Sequence, residues 1–549
     1  MKMERFIENY QNKEFDLLVI GGGITGATVA YEAASRGLSV ALIEKNDFGS
    51  ATSSATSRMI HGGLRYLSTF EFGLVRESLR ERRILSNIAP NFIHPVPFIF
   101  SMYKKDKVSA QAMKLGMILY ELFSFDKNWL KDKSKKMPHY ETISAQKVKE
   151  LVPIAVKNGL VGGQLYYDCS SHSPERFTLA FIKSAIKYGA SVANYTEMLD
   201  FLVEKQGKIR NVKGVAVLDK ISGKKSEIRS KLVINCAGPW ADLVLDKVKK
   251  QNGKQELRRS EGIHIVTKKI LDNFIFSGST EKGKHFFLVP YRNKTLIGTT
   301  DKEYVGKPDE YKVTKTAILE LINDVNKALG QGELINYQDV IYTYGGLRPL
   351  VEDQTEDVYH SSRKYEITGE KKNGIAGLIT VEGGKFTTSR MLAESAINKA
   401  FRILKYPKKT SISEKEFLLN SEIDDFAKFL QVKKEQYPIF TSRQIEFLSK
   451  SYGNELDRML EISAENPNLA EILNEDGETL AQVVYAIRYE MAKNLPDIML
   501  RRTGLALLGN PGKEIIEKIA NIAAKELSWE PEKVQAEIQK MEAILKIPE

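Results

Sequence analysis

Residues Phe15 to Leu67 read FDLLVIGGGITGATVAYEAASRGLSVALIEKNDFGSATSSATSRMIHGGLRYL. Asp16 to Ile20 is a short apolar run, too short for a helix and followed at once by glycines, which predicts a buried parallel strand. Gly21, Gly23 and Gly26 complete G-x-G-x-x-G. The first glycine permits a tight turn, the second lets backbone approach a pyrophosphate, and the third lets the next helix, Ile24 to Arg36, pack closely on the sheet. The unpaired N–H groups at the start of that helix favour an anion. Gly37 ends the helix, Ser39 to Ile43 is a second strand, and Glu44 stands at its end, where a carboxylate can accept hydrogen bonds from a ribose. A glycine fingerprint alone is weak evidence, because such turns also serve loops that need positive φ. Strand, helix, strand and acid in the required order make it a Rossmann-like dinucleotide unit, with Gly21, Gly22, Gly23, Ile24, Thr25, Gly26, Glu44 and Lys45 as cofactor-binding candidates.

The fingerprint does not separate a nicotinamide cofactor from a flavin. Downstream, Thr52, Ser53 and Ser54 offer hydroxyls beside the pyrophosphate, and Arg58, Ile60, His61, Gly62 and Gly63 follow as candidates for the ring's surroundings. At Ser53-Ser54 and His61-Gly62-Gly63-Leu64-Arg65-Tyr66-Leu67 the chain closely resembles the FAD-dependent glycerol-3-phosphate dehydrogenases, within the D-amino-acid-oxidase-like flavoprotein superfamily. The resemblance covers nearly the whole chain. It implies an α/β fold in which a Rossmann-like FAD-binding domain, interleaved with an antiparallel substrate sheet, spans residues 14–405, and a C-terminal all-α domain spans 410–549.

Composition is consistent with that reading. A chain of 549 residues builds a substantial core and several units of ~150 residues. Hydrophobic content of 42% and charged content of 28% suit a globular enzyme. The two cysteines, Cys169 and Cys236, are too few for a disulfide framework or zinc cluster and fit a reducing compartment. The amino terminus MKMERFIENYQNKEF has no apolar core and reads as a short leader rather than a secretory signal. No stretch of about 18 apolar residues is present to span a bilayer. The charge of +11 favours anionic partners: a phosphorylated substrate, an anionic membrane surface or nucleic acid. No lysine- and arginine-rich face with interleaved aromatics points to nucleic acid, and no His or carboxylate spacing points to a metal.

Along the chain, Phe70 to Ile88 has helical periodicity, and Pro90, Pro95 and Pro97 then begin an extended piece. Between Tyr103 and Lys136, lysines including Lys104, Lys105, Lys107, Lys127, Lys131 and Lys135 surround Met113, Met117, Leu122, Phe125 and Trp129. A helix of that pattern lies in a lipid headgroup layer or packs on its own domain with a solvated rim. The resemblance favours the membrane, since respiratory members of the family look like peripheral enzymes passing electrons to quinone. Gly162 to Tyr167 reads as a strand and Pro174 to Tyr188 as a helix. Ser191 to Asn194 is a short strand, Val203 to Ile228 a small antiparallel excursion turning at Gly207 and Gly223, and Lys231 to Cys236 a buried strand. In the resemblance, Glu197 approaches the adenine side of FAD. Ala237, Gly238 and Trp240 form a second flavin-contacting turn, and Gly383, Gly384, Lys385, Phe386 and Thr387 lie near the isoalloxazine. Asp168 to Arg176 departs from the family's pattern. Strands at Ser260 to Val266, His285 to Tyr291 and Val340 to Tyr344 build the substrate sheet, and the chain beyond Tyr406 is almost wholly helical.

Oxidising an alcohol carbon by hydride removal requires a group that takes the hydroxyl proton and positive charge at the forming oxyanion. Arg65 and Arg348 are the first choices for gripping a phosphorylated substrate, helped by Tyr66 and Lys385. His61 and His264 are the candidate bases, with His61 slightly favoured for its glycine neighbours, so that His61, His264, Arg348 and Lys385 form the catalytic set. His94, His139, His172, His285 and His360 receive no role. The resemblance implies oxidation of sn-glycerol 3-phosphate to dihydroxyacetone phosphate by hydride transfer from C2 to flavin N5. Electrons then pass to quinone at the cytoplasmic face of the membrane, with a homodimer left open. An oxidase passing the electrons to O2 and making peroxide is the alternative; such members commonly carry a central insertion that this chain lacks. An amine-oxidising flavoprotein would need no cations for phosphate.

Overall fold

The protein is described by a computed structural model covering residues 1–104, 106, 109–249, 257–330, 332–351 and 364–549. Lys105, Lys107 and His360 lie outside the described residues. The opening stretch folds as its pattern dictates: strand Phe15–Ile20, helix Ile24–Ser35 and strand Val40–Ile43, all but Asp16, Thr25 and Ser35 closed off from solvent or nearly so. The two strands pair in parallel, flanked by Ser191–Ala193 on one side and Lys225–Asn235 on the other. Leu378–Gly383 extends the sheet in parallel, and Tyr365–Gly369 closes its edge antiparallel. Helices Ile24–Ser35, Pro174–Lys187 and Ser389–Leu404 cover one face and bury Val29, Tyr31, Phe177, Phe181 and Ile397 in the largest core cluster.

One boundary differs from expectation. The last arm of the antiparallel excursion and the buried strand after it form a single strand, Lys225–Asn235. Its first half alternates buried and exposed residues and pairs antiparallel with Ile209–Asp219. Its second half is continuously buried and pairs in parallel with Phe15–Ile20. The switch from alternation to an unbroken apolar run marks where a strand covered on one face enters a sheet covered on both.

Among the described residues the second sheet has ten strands. Ile93–Tyr103 lies inside it, between Leu160–Ser171 and Ile275–Ser279, despite Pro95 and Pro97. Pairing with Ile275–Ser279 begins only at Phe98, so the missing proline N–H groups fall where the strand has one neighbour. On Arg258–Lys268 the side chains alternate. Ile263 and Ile265 pack under helix Lys315–Leu329 with Ile318, Leu321 and Val325, which puts Gly262 and His264 on the opposite face. Antiparallel register with Val340–Leu350 sets Tyr344 opposite His264, Gly346 opposite Gly262 and Arg348 opposite Ser260, all on that same face.

From Phe426 onward the described chain is helical apart from short connections and one isolated bridge, Ile472 to Thr479. These helices share a core with the inner face of the second sheet, and Tyr485, Ile498 and Met499 are fully buried. The basic segment is shorter as a helix than its composition predicts, Ala110–Phe123. Its lysine flank is also less free: Lys127 bonds Glu121 and Pro138 O, and Lys135 is buried against the carbonyls of Pro90 and Ile93.

Candidate active site

A cavity of about 1460 Å³ runs from the fingerprint glycines, between the two sheets, to helix Ala110–Phe123. At its first end Gly21 turns with φ +102°, and a Cβ there would lie 2.6 Å from Cys236 O. A Cβ on Gly26 would lie 1.8 Å from Gly21 O, so helix and turn touch only because neither residue has a side chain. Ser53 Oγ accepts the N–H of Ile24 at 2.9 Å, and Gly23 and Thr25 line the cavity beside it. Glu44 accepts from Gly22 N at 2.7 Å and from Asn46 N at 2.8 Å. Burial raises its pKa, against the pull of those two bonds. Lys45 sits 4.3 Å from the Trp240 ring, and both bond Asp309. Glu197, Ala237 and Gly238 complete this end.

Midway, the wall is made by Thr52, whose hydroxyl donates to Leu347 O at 2.6 Å, and by Gly383, Gly384, Phe386 and Thr387. Ser54 returns its hydroxyl to Ala51 O. Several residues expected around the ring do not line the cavity. Arg58 turns its guanidinium onto Glu175 at 2.7 Å and the Tyr291 ring at 4.4 Å. Ile60 is core, and Gly62 backs onto Leu79 and Tyr120. They hold the loop that presents His61 and Gly63.

Two charged clusters line the cavity. In the first, the Tyr66 ring lies under Lys385 Nζ, 4.3 Å from its centroid, and under the Arg65 guanidinium, 4.9 Å away; Arg65 also donates to Tyr66 Oη at 3.3 Å. Lys385 donates to Ser78 Oγ at 2.7 Å, and burial lowers its pKa. His61 belongs to this cluster. Burial first, opposed by Asp168, then the charges of Lys385, Arg65 and Arg82 bring its pKa to about 4. Its Nδ1 accepts the N–H of Gly63 at 3.1 Å, so the neutral ring carries its proton on Nε2. Behind it, Asp168 binds Arg82 and accepts from Tyr120 Oη, both at 2.5 Å.

In the second cluster Arg348 donates to Thr299 Oγ1 at 2.7 Å and, at 3.2 Å, to Ser260 Oγ, Glu261 O and Thr300 O. Gly262 makes the room: a Cβ there would lie 1.9 Å from Arg348 Nη2. His264 stacks on Tyr344 at 5.0 Å, and its Nε2 lies 2.8 Å from Ser57 Oγ. Burial, then Arg348 and Arg58, hold its pKa down to about 3. Ser57 lines the cavity and escaped the sequence reading, because nothing in its spacing joins it to a histidine 207 residues away. His285, set aside as a lone histidine, also lines the cavity. Burial and the Arg65 charge lower its pKa to about 4.

With this geometry in place, comparison with known proteins decides the family. Residues 16–394 match the model of the FAD dependent oxidoreductase family, and residues 420–534 match the C-terminal domain of alpha-glycerophosphate oxidase. A glycerol-3-phosphate dehydrogenase of Synechocystis sp. is 33% identical, over 96% of either chain. The chain belongs to the FAD-dependent glycerol-3-phosphate dehydrogenase family. An aerobic glycerol-3-phosphate dehydrogenase of Staphylococcus aureus is 30% identical over 99% of this chain and 97% of its own. The solved structure of a glycerol-3-phosphate dehydrogenase from Bacillus halodurans, complexed with FAD, superposes with a TM-score of 0.78. It is 26% identical and covers 98% of this chain and 96% of its own.

The family's cofactor fits the residues present. The glycine cradle is one that side chains would fill, the helix start Ile24–Ser35 presents N–H groups, and Glu44 stands at the strand end. The Asp168 to Arg176 segment braces this site. Asp168 supports the His61 loop, Glu175 holds Arg58, and Arg176 reaches Glu490 of the C-terminal helices at 2.9 Å. His94 and His172 bond Asn91 O and Ser451 Oγ, away from the cavity.

Proposed function

We propose that the protein oxidises sn-glycerol 3-phosphate to dihydroxyacetone phosphate. The observation that carries this reading is the convergence of Arg65, Tyr66 and Lys385 with Arg348 and His264 on the cavity that begins at the dinucleotide fingerprint. FAD, when bound, supplies the two-electron acceptor for hydride from C2. Arg65, Tyr66 and Lys385 take the phosphate, whose dianion suits two cations and a hydroxyl on one patch. Arg348, held by Thr299 and Thr300, keeps a fixed positive charge for the oxygen at C2.

For the proton, the geometry favours His264 over His61. His61 uses its only lone pair on Gly63 and acts as a donor through Nε2. Ser57 and His264 both line the cavity with Ser57 Oγ 2.8 Å from His264 Nε2, so Ser57 accepts the C2 hydroxyl proton while passing its own to the imidazole. Burial first, and then the charges of Arg348 and Arg58, keep His264 neutral in the free protein, the form that can take a proton.

Quinone is the proposed electron acceptor. Beyond the charged clusters the cavity is lined by Phe98, Phe100, Phe276, Met113 and Leu119, an apolar passage suited to a flat, lipid-soluble molecule. It ends at helix Ala110–Phe123, whose outer face exposes Leu115, Ile118 and Leu122, next to exposed Phe70, Phe125 and Trp129. Arg76 stacks on Phe125 at 4.4 Å and is paired with Asp126 at 2.7 Å, which holds this apolar edge in place. No helix among the described residues is long and apolar enough to cross a membrane, and peripheral attachment at the cytoplasmic face is the proposed location. The test is to supply glycerol 3-phosphate with oxygen, or with a soluble quinone analogue, and measure peroxide against quinol. Quinol formation with little peroxide supports the dehydrogenase reading; stoichiometric peroxide with no quinone reduction replaces it with the oxidase.

A further inference from the structure

We propose that the C-terminal helical domain sets the protein's hold on FAD, with Arg501 and Arg502 acting as positioning residues on the loop that carries Glu44. The contacts form an unbroken chain. Arg502 donates to both Asp47 oxygens, at 2.8 and 2.9 Å, and Arg501 Nε donates to Asp47 at 2.6 Å. Asn194 Nδ2 adds a fourth bond at 3.1 Å, and the Asp47 side chain is wholly buried. One residue upstream, the N–H of Asn46 donates to Glu44, whose other oxygen accepts the N–H of Gly22 in the fingerprint. The carbonyl of Asn46 is held in turn by Tyr195 N at 2.9 Å, and Tyr195 donates its hydroxyl to Asp497 at 2.6 Å. The loop between Glu44 and Asp47 is thus fixed from both its carboxylate and its backbone, each time by the segment Asp497–Arg502.

The arrangement exceeds what joining two domains requires. Asp47, Glu455, Glu490 and Asp497 face Arg176, Lys183, Arg501 and Arg502, four acids against four bases, in a buried lattice where each charge depends on the next. The paired charges hold Asp47 well below the usual carboxylate range, so it stays ionised. Neutralising Asp47 leaves Arg502 without its two-pronged acceptor and frees Asn46 to rotate its N–H away from Glu44. Glu44 then loses one of the two bonds that orient its carboxylate toward the cavity.

The experiment removes FAD from the purified full-length protein and titrates it back while following the quenching of flavin fluorescence. Asp47→Asn raises the FAD dissociation constant at least tenfold. Arg502→Lys keeps the charge but loses the fork and raises it by a smaller factor. Arg292→Gln is the control, because it removes a buried ion pair to Asp476 and Glu478 across the same domain contact, remote from the Glu44 loop. It lowers the thermal midpoint as Asp47→Asn does yet leaves FAD affinity within threefold. Unchanged FAD affinity in Asp47→Asn, or equal loss in Arg292→Gln, overturns the proposal. Should Asp47→Asn fail to fold, unchanged affinity in Arg502→Lys overturns it.

Discussion

Ser57 Oγ and His264 Nε2 stand 2.8 Å apart although the strands beside them, Met59–Ile60 and Arg258–Lys268, are six positions apart in the ten-stranded sheet. In a flat sheet that separation is about 29 Å at ~4.8 Å per strand. The sheet therefore curls until its far edge meets the strand carrying the histidine. Tyr344 Oη donating to Thr56 O at 2.8 Å repeats the contact one residue away. Ser57→Ala removes the hydroxyl that links cavity and imidazole. It should slow flavin reduction by glycerol 3-phosphate about 100-fold, within the range for general acid–base groups, and leave KM within about threefold. Stopped-flow absorbance measures this, and an unchanged reduction rate would remove Ser57 and His264 from the proton path.

The fit of Arg348 over Gly262 makes a second, separable prediction. Gly262→Ala puts a methyl where the guanidinium lies, and the bonds to Ser260, Thr299 and Thr300 resist its displacement. Because the cavity borders the collision, the fold survives while Arg348 shifts. We expect a thermal midpoint within a few degrees of the parent and kcat/KM lower by 100-fold or more, since a misplacement of about 1 Å can cost that much. Retained kcat/KM would show that the position of Arg348 does not matter.

Asp168 carries a structural prediction. It neutralises Arg82 inside the protein and accepts the Tyr120 hydroxyl, so Asp168→Asn strands a buried guanidinium. Loss of one partner of such a pair costs about 3–5 kcal/mol. Chemical denaturation checks it, and a loss under about 1 kcal/mol would mean that Arg82 finds another acceptor.

Burial gives the stability a defined pH dependence. His61 and His285 are pushed down to about 4, His264 to about 3, and His94 and His172 well below their ordinary value. In the unfolded chain all five titrate near 6.5. As pH falls below 6.5 the unfolded state binds protons that the folded state refuses, so stability drops by up to ~1.4 kcal/mol per histidine per pH unit. Above 6.5 the contribution is complete. Denaturation midpoints should fall steeply between pH 6.5 and 5; a flat profile there would mean that these rings are accessible to protons in the folded protein.

The cofactor half of the molecule was legible in the sequence because its signals are local. Gly21, Gly23, Gly26 and Glu44 lie within one strand, helix and strand, and period and turn chemistry fix such a unit without tertiary knowledge. The pairings that make the second half of the site are not local. Ser57 with His264, Gly262 with Arg348 and Arg65 with His285 depend on sheet curl and register, and no spacing along the chain encodes them. Arg58 shows the opposite error: proximity to the His61 motif suggested a cavity residue, whereas Glu175, 117 residues on, draws its charge into the core. The long strand Ile93–Tyr103 stayed hidden as a mere extended piece because its prolines argue against an inner strand unless one neighbour begins late.

The most direct test of the account is anaerobic mixing of the purified yellow protein with glycerol 3-phosphate while the oxidised-flavin absorbance is followed, with Arg348→Ala alongside. The account predicts rapid, complete bleaching of the unaltered protein by glycerol 3-phosphate, none by glycerol, and bleaching at least 100-fold slower in the variant. Persistence of the yellow colour in the unaltered protein with glycerol 3-phosphate, or equal bleaching by glycerol, would contradict it.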